Sequence, residues 1–462
     1  MPLWAVYGDG RRVTDGAVVA PRERLGWRPT IGLGMQHLLA VAAATLIVPA
    51  LTGLSPAVTL LFSGIGTLAF LLITRHRLPA YLGSSVAFIA PLQAAQGAGL
   101  AAQLGGVLMV GLVLVAVGVA VKALGNRVVD AAMPPVVIGG IVMLIGLSLA
   151  PGAVGQFGRQ PAIGVFTLLA VLVAVAVLPG MGGRLAILLG LVAGWLLATA
   201  VGALDPQRLD ALGDAAWIGL PGLTGPQITP SVVLGMLPVV IVLVAENIGG
   251  VRAIGAITGR STDGLTGDAL VANGVATTLA GLGGGVGTTI SPQNIGVMAA
   301  SRVCSTATYA VAALAAIVLS FSPKVGALLL TVPVGVLGGA SLVLYGLIAV
   351  YGAKVWMDNR VDLTDPLTLA VAAAALVAGV GGLTFSVGGV PLGGVVWGTA
   401  GIMLLYPLLR GLRRLAGARN AVPGTAVSEA AVPGTAVPGA AVPAPRLRAR
   451  RSGGIGWQLG QK

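Results

Sequence analysis

Long apolar runs separated by short polar punctuation dominate the chain. Runs of bilayer-spanning length fall at 31–50, 56–74, 79–97, 102–121, 131–150, 161–180, 184–203, 231–250, 267–285, 288–303, 305–322, 325–350, 366–385 and 391–410. A helix crosses the hydrocarbon core in about 20 residues. The pattern therefore predicts an all-α polytopic membrane protein with about 14 transmembrane segments. Two runs are poor helices. The third carries Pro79, Gly83 and Pro91, and the tenth carries Pro292 and Gly296 with Gly287 beside it. Broken backbone at membrane depth survives only where it lines a cavity or is buried in protein.

An even number of spans puts both termini on one side, and the basic residues say which. With cytoplasmic termini, 24 of the 27 Lys and Arg fall in inside segments, and only Arg159, Arg208 and Lys324 fall outside. That is the positive-inside pattern. It predicts a multi-pass protein of the cytoplasmic (inner) membrane with both termini cytoplasmic. The net charge of +13 is then mostly topology and no sign of nucleic-acid binding.

The two halves echo each other. Pro134, Val137, Ile138, Gly139 and Gly140 recur as Pro333, Val336, Leu337, Gly338 and Gly339. Gly83-Ser84-Ser85 with Pro91 is echoed by Gly287-Thr288-Thr289 with Pro292. Seven spans per half is odd, so the second half enters from the opposite side. The expectation is a 7+7 inverted repeat with a site near the midplane, between broken helices.

Composition agrees with a lipid-embedded chain. Of 462 residues, 56% are hydrophobic and 9% charged, where soluble domains carry about 25% charged residues. The 72 glycines suit close helix packing in lipid. One cysteine, Cys304, excludes an internal disulfide and reads as a small packing residue. No metal site and no cofactor is expected. Residues 1–30 are polar and arginine-bearing, a cytoplasmic segment without a cleaved signal peptide. Residues 411–462 repeat a VPG unit and end in basic residues, which predicts a disordered cytoplasmic tail whose arginines touch anionic lipid.

Glu246 stands out within this background. It lies in SVVLGMLPVVIVLVAENIGG (231–250), where an ionised acid costs a few kcal/mol, so such acids usually face a bundle interior or a wet cavity. The plainer alternative is a helix-end residue reaching for headgroups. Gln36-His37 and Ser291-Pro292-Gln293-Asn294 also interrupt apolar runs. Together a carboxyl, carboxamides and an imidazole offer both donors and acceptors to a planar, neutral, amide-like solute. His37 alone is more often a satisfied packing residue. GLGGGVG (281–287) lacks the lysine of a phosphate loop, which rejects that reading. An intramembrane protease needs paired aspartates or a Ser/His dyad inside spans, so no enzyme is expected.

QNIGVMAASR (Gln293–Arg302) resembles the signature of the nucleobase–ascorbate transporters, also called nucleobase:cation symporter 2 or solute carrier family 23. The likeness covers about 25–410, the expected transporter domain (31–410), and is strongest toward bacterial uracil, pyrimidine and xanthine permeases. It includes QH (36–37), PAYLGSSVAFIAP (79–91), MPPVV (133–137), AAWIGLP (215–221), VAENIGG (244–250) and NRVDL (359–363). The resemblance implies a core domain of spans 1–4 and 8–11, a gate domain of spans 5–7 and 12–14, and short strands in spans 3 and 10. It further implies that Glu246 and Gln293 hydrogen-bond a base, with Asn294 in the same signature. Backbone at Val86 and Pro292 would add bonds, Ala44 would lie beside the pocket, and His37 would brace span 10.

Three departures from the family pattern bear on substrate and coupling. Uracil-type members usually carry Glu where Gln293 stands, and Gln is the xanthine- and urate-type choice. Many relatives place a titratable residue four positions after the glutamate, where this chain has Gly250. Some carry an aromatic residue at Val86. The expected function is uptake of uracil or xanthine by proton symport, with Glu246 and His37 the titratable candidates and Na⁺ the alternative coupling ion. The competing reading is an anion transporter or channel of the sulfate/bicarbonate type, which calls for a cation at the site. Expected partners are the base, H⁺ and the lipid bilayer. A homodimer is left open.

Overall fold

The computed structural model describes residues 3–420 except 12, 15–16, 126–133, 180–182, 184 and 388–389. Residues 421–462, with the VPG repeats, lie outside the described residues. So do Arg127, Arg184, Met133 and the first residues of the fifth and seventh apolar runs. Met1–Arg413 form one compact unit; of the second unit, Arg414–Lys462, the described part is helical.

The helices are α1 (Trp27–Thr52), α2 (Pro56–Ile73), α3 (Ile89–Ala94), α4 (Leu100–Leu124), α5 (Pro135–Ser148) and α6 (Ala150–Arg159). There follow α7 (Pro161–Val177), α8 (Ala186–Ala200), α9 (Pro206–Asp214), α10 (Pro230–Met236), α11 (Val239–Thr258) and α12 (Thr266–Gly283). The last are α13 (Pro292–Ser301), α14 (Thr306–Ser320), α15 (Pro323–Leu330), α16 (Val334–Asp358), α17 (Pro366–Val380) and α18 (Gly394–Asn420). Short strand pairs are β1 (Ala5–Val6) with β2 (Glu23–Arg24), β3 (Leu82–Ser84) with β4 (Thr288–Ile290), and β5 (Phe385–Val387) with β6 (Val390–Leu392).

Local chemistry sets the boundaries. Proline opens α2, α5, α7, α10, α13 and α17, where its missing N–H costs nothing. Ser55, Ser305 and Asp365 cap α2, α14 and α17 through side-chain oxygens. Among the described residues, seven helical stretches are long and apolar enough to cross a membrane, two of them formed by α5 with α6 and by α10 with α11. The count becomes eight if α14 and α15, bent by 88°, form one span. α7, α8 and α17 are shorter apolar helices. The apolar run 325–350 proves to be two elements, because Pro333 ends one and starts α16, which continues to Asp358.

The helices pack in two sets. α4 lies against α12, α2 against α12 and α14, and α1 against α14. Separately, α16 lies against α5, α6, α7 and α8, and α5 against α17. Contact within each set is close because small residues line it. A Cβ on Gly274 of α12 would stand 2.6 Å from the Val115 amide of α4, and one on Gly111 of α4 would stand 2.5 Å from the Thr278 amide. Backbones approaching this closely gain dispersion that lipid contact does not replace.

Polar residues 3–26 are more organised than a bare polar segment. Val19 bridges to Val303, with Val19 N–H donating to Arg302 and Cys304 N–H donating to Val19, both at 3.0 Å. The Trp4 indole donates to Thr306 Oγ1 at 2.8 Å. This segment is thus tied to the connection between α13 and α14. Cys304 is buried there.

Candidate functional site

The third and tenth apolar runs break where expected, and the two breaks pair with each other. β3 and β4 are antiparallel, with Leu82 opposite Ile290, Gly83 opposite Thr289 and Ser84 opposite Thr288. Their outer backbone groups are satisfied from two helices. On α2, Thr67 Oγ1 accepts from Leu82 N–H at 2.9 Å and Ser63 Oγ donates to Leu82 C=O. On α12, Thr277 Oγ1 accepts from Thr288 N–H at 3.1 Å, while Asn273 Oδ1 accepts from Thr288 Oγ1 at 3.0 Å. Extended backbone buried in an apolar protein needs such partners. Leu82 and Thr288 therefore play matching parts, each held by polar residues one helical turn apart. Taking Leu82 and Thr288 as equivalent aligns the repeats with Gly83-Ser84-Ser85 on Thr289-Ile290-Ser291, two positions on from the alignment suggested by glycine and hydroxyl spelling.

Each strand runs into a helical N-terminus. Ser85 caps the 3-10 turn Val86–Phe88 and Ser291 precedes α13. The first amides of a helix have no intrahelical acceptor. Val86 and Gln293 thus bring N–H groups of that kind to the β3–β4 pair. Pro292 has none, so its backbone can offer only a carbonyl.

Glu246 stands within α11, several residues from either end, and is half-buried. Ser85 Oγ donates to its Oε2 at 3.1 Å. Thr289 of β4 brings a second hydroxyl near the carboxyl, and this buried Oγ1 makes no hydrogen bond of normal geometry. The acid is thus tied to another segment of the protein. Asn247, the next residue, turns its amide back to Leu243 C=O at 2.7 Å. Gly250 faces β4: a Cβ there would stand 2.8 Å from Ile290 Cγ2. β4 occupies the space that a titratable side chain at this position would need.

Gln293 is half-buried, and its Oε1 accepts from Ser291 Oγ at 2.8 Å, leaving the NH₂ group to donate. Asn294 is buried and engaged elsewhere: its Oδ1 accepts from His37 Nδ1 at 3.1 Å. The His37 ring also lies 4.3 Å from that of Tyr309 on α14. His37 and Asn294 therefore join α1 to α13, and α1 also packs on β3 and α3. Ala44, on the same helix α1, is buried. Ser85 and Thr289 are the residues beside Glu246 that reading for rare polar groups passed over. Their signal was present, as hydroxyls flanking both breaks.

A cavity of about 420 Å³ lies beside this region. Val86, Ala87 and Ala90 line it from the break, Val239 and Val242 from α11, and Ile145 and Gly379 from α5 and α17. The lining is largely apolar, and Val242 is one turn before Glu246. Space for a solute thus lies one helical turn from the carboxyl, walled jointly by the break, α11, α5 and α17.

The model of a family described as "Permease family", for xanthine and uracil permeases, matches residues 28–388. RutG of Escherichia coli (strain K12), named as a pyrimidine permease, is 42% identical over 422 residues, covering 88% of this chain and 95% of the relative. A uracil permease of Bacillus caldolyticus is 39% identical over 382 residues, covering 78% and 88%. Among solved structures, the transmembrane domain of a cyanobacterial bicarbonate transporter, BicA, superposes with a TM-score of 0.53 at 17% identity. That match covers 76% of this chain and 97% of the other, and at such identity it speaks for the fold alone.

Proposed function

Because the chain belongs to the nucleobase–ascorbate transporter family, whose members are integral membrane permeases and not enzymes, we propose that it imports a nucleobase, uracil or xanthine, by proton symport. One observation carries the reading: a half-buried carboxyl in the middle of an apolar helix, bonded to a hydroxyl at a helix break. Glu246 accepts from or donates to a ring amide of the base. Gln293 presents its NH₂ to a ring carbonyl, and the Val86 and Gln293 amides supply further donors. Glu246 enters the cycle protonated and releases its proton inside. With Gly250 in place of a second titratable group, one proton accompanies each base.

Fourteen spans in an inverted 7+7 repeat, with cytoplasmic termini in the inner membrane, remain our reading of the topology. The matched roles of Leu82 and Thr288 support the repeat. The separate packing of α1, α2, α4, α12 and α14 from α5–α8, α16 and α17 supports a core and a gate, with the site between them. The anion-transporter alternative shares the fold but is less well supported, since no cationic side chain is bonded to Glu246 or Gln293 among the described contacts.

Uptake in proteoliposomes tests the reading. Radiolabelled uracil, competed by xanthine, urate, thymine and ascorbate, identifies the base. Imposed pH and potassium-diffusion gradients should each drive accumulation, since a proton with a neutral base carries charge. Uptake that follows only a sodium gradient replaces the proton, and uptake that follows no gradient makes the protein a facilitator.

A further inference from the structure

Three arginines from distant parts of the chain line one cavity of about 370 Å³. Arg22 belongs to the N-terminal segment, Arg77 follows α2 and Arg260 follows α11. Thr258 and Thr262 line it with hydroxyls that donate to Ile254 C=O and Val251 C=O, Ser261 adds a further hydroxyl, and no acidic side chain is among the described lining residues. In the topology proposed above this is the cytoplasmic face. Positive-inside bias accounts for arginines on that face, but not for their convergence on a single concavity.

The surrounding backbone is built tightly. Arg75 and His76 adopt φ of 53° and 54°, a left-handed conformation uncommon for residues with a side chain. The turn is held by His76 N–H to Leu71 C=O at 2.8 Å and Arg77 N–H to Thr74 C=O at 3.1 Å. Arg22 Nη2 donates to Arg75 C=O at 3.1 Å, which fixes one corner of the guanidinium. Thr262 Oγ1 donates to Val251 C=O at 2.8 Å, tying the pocket wall to α11. His76 Nδ1 is buried without a partner. Burial and the Arg22 charge hold the His76 imidazole below its ordinary range, which favours its neutral form.

We propose that this pocket binds a phosphate group, supplied by a phospholipid headgroup or by a soluble phosphate ester. Guanidinium forks match phosphate oxygens in pairs, and three of them with the Ser261 hydroxyl and no described counter-charge leave a site for a multiply charged anion. Occupancy steadies the end of α11, the helix that carries Glu246. The binding claim stands apart from the transport reading, because it is measured without a base.

The test uses the full chain in nanodiscs. In one arm, radiolabelled inorganic phosphate and uridine monophosphate are titrated in phosphatidylcholine discs. In the other, Tm is compared between phosphatidylcholine discs and discs that also contain phosphatidylglycerol. The variants are Arg77→Gln with Arg260→Gln, and Ser261→Glu, which puts a carboxylate at an exposed pocket position without removing a guanidinium. Arg360→Gln, a cation outside the pocket, is the control. Saturable binding in the first arm, weakened roughly ten-fold or more by either variant as loss of charge-assisted hydrogen bonds implies, identifies a soluble ester. A phosphatidylglycerol-dependent rise in Tm that both variants abolish identifies lipid. The proposal is overturned if neither effect is seen, if both pocket variants behave as the unmodified chain, or if Arg360→Gln does as much damage.

Discussion

The Ser85 hydroxyl donates to Glu246 Oε2 at 3.1 Å across 161 residues of sequence. The same oxygen accepts from Ala87 N–H at 3.3 Å at the start of the 3-10 turn. One side chain therefore joins the break in the third apolar run to the acid on α11. The carboxyl is aimed by a group whose own position depends on the β3–β4 pair.

Ser85→Ala removes that link while leaving the acid in place. A hydrogen bond of this kind contributes about 1 kcal/mol, so KM for the transported base should rise about five- to ten-fold with protein abundance maintained. An unchanged KM would separate Ser85 from the substrate site.

Glu246→Gln keeps the volume and both hydrogen-bonding edges but cannot titrate. Accumulation driven by a pH gradient should disappear, while weak base binding or exchange persists. Accumulation at the unmodified level at every pH would remove Glu246 from coupling.

Gln293→Glu retains an acceptor for Ser291 Oγ and deletes the NH₂ donor. Preference should move from xanthine toward uracil, read as the ratio of their initial uptake rates. A constant ratio would show that this position does not select the base.

Thr67→Val and Thr277→Val are nearly isosteric, yet each strands a buried backbone N–H of a site strand. Each should lower stability by roughly 1–3 kcal/mol, the cost of an unmet buried donor. Thr45→Val is the comparison, since Thr45 bonds only Val41 C=O in its own helix. Equal Tm losses in all three would mean that the ties to β3 and β4 carry no special weight.

Asp365 offers a pH test away from the membrane interior. The Arg413 guanidinium, then Thr368, hold its carboxyl below the ordinary carboxylate range. A depressed folded value means that its stabilisation is present above the unfolded value and lost as pH falls through the folded one. Asp365→Asn should therefore lower Tm at pH 7, and the difference from the unmodified chain should close on acidification below about pH 4. A gap that persists in acid would assign the effect to packing instead.

Much was legible in the chain itself. Apolar length, proline and glycine at the third and tenth runs, and a solitary acid at Glu246 are local properties, so the broken elements and the leading candidate residue could be read directly. The family signature at Gln293–Arg302 is local too. Only the tertiary structure decided what each polar group meets. Asn294, adjacent to Gln293, turns to His37, and Gly250 faces Ile290. Hydroxyls common in any membrane helix become specific at Ser85, Thr289, Thr67 and Thr277. The alignment of the two repeats at β3 and β4 escaped the sequence because glycines and hydroxyls recur at several offsets. The buried backbone groups of Leu82 and Thr288 accept only the pairing that leaves them bonded to α2 and α12. Span and break follow from the cost of putting the chain's own residues in lipid, whereas partner and register follow from the cost of leaving a buried polar group unmet, which depends on segments far apart in sequence.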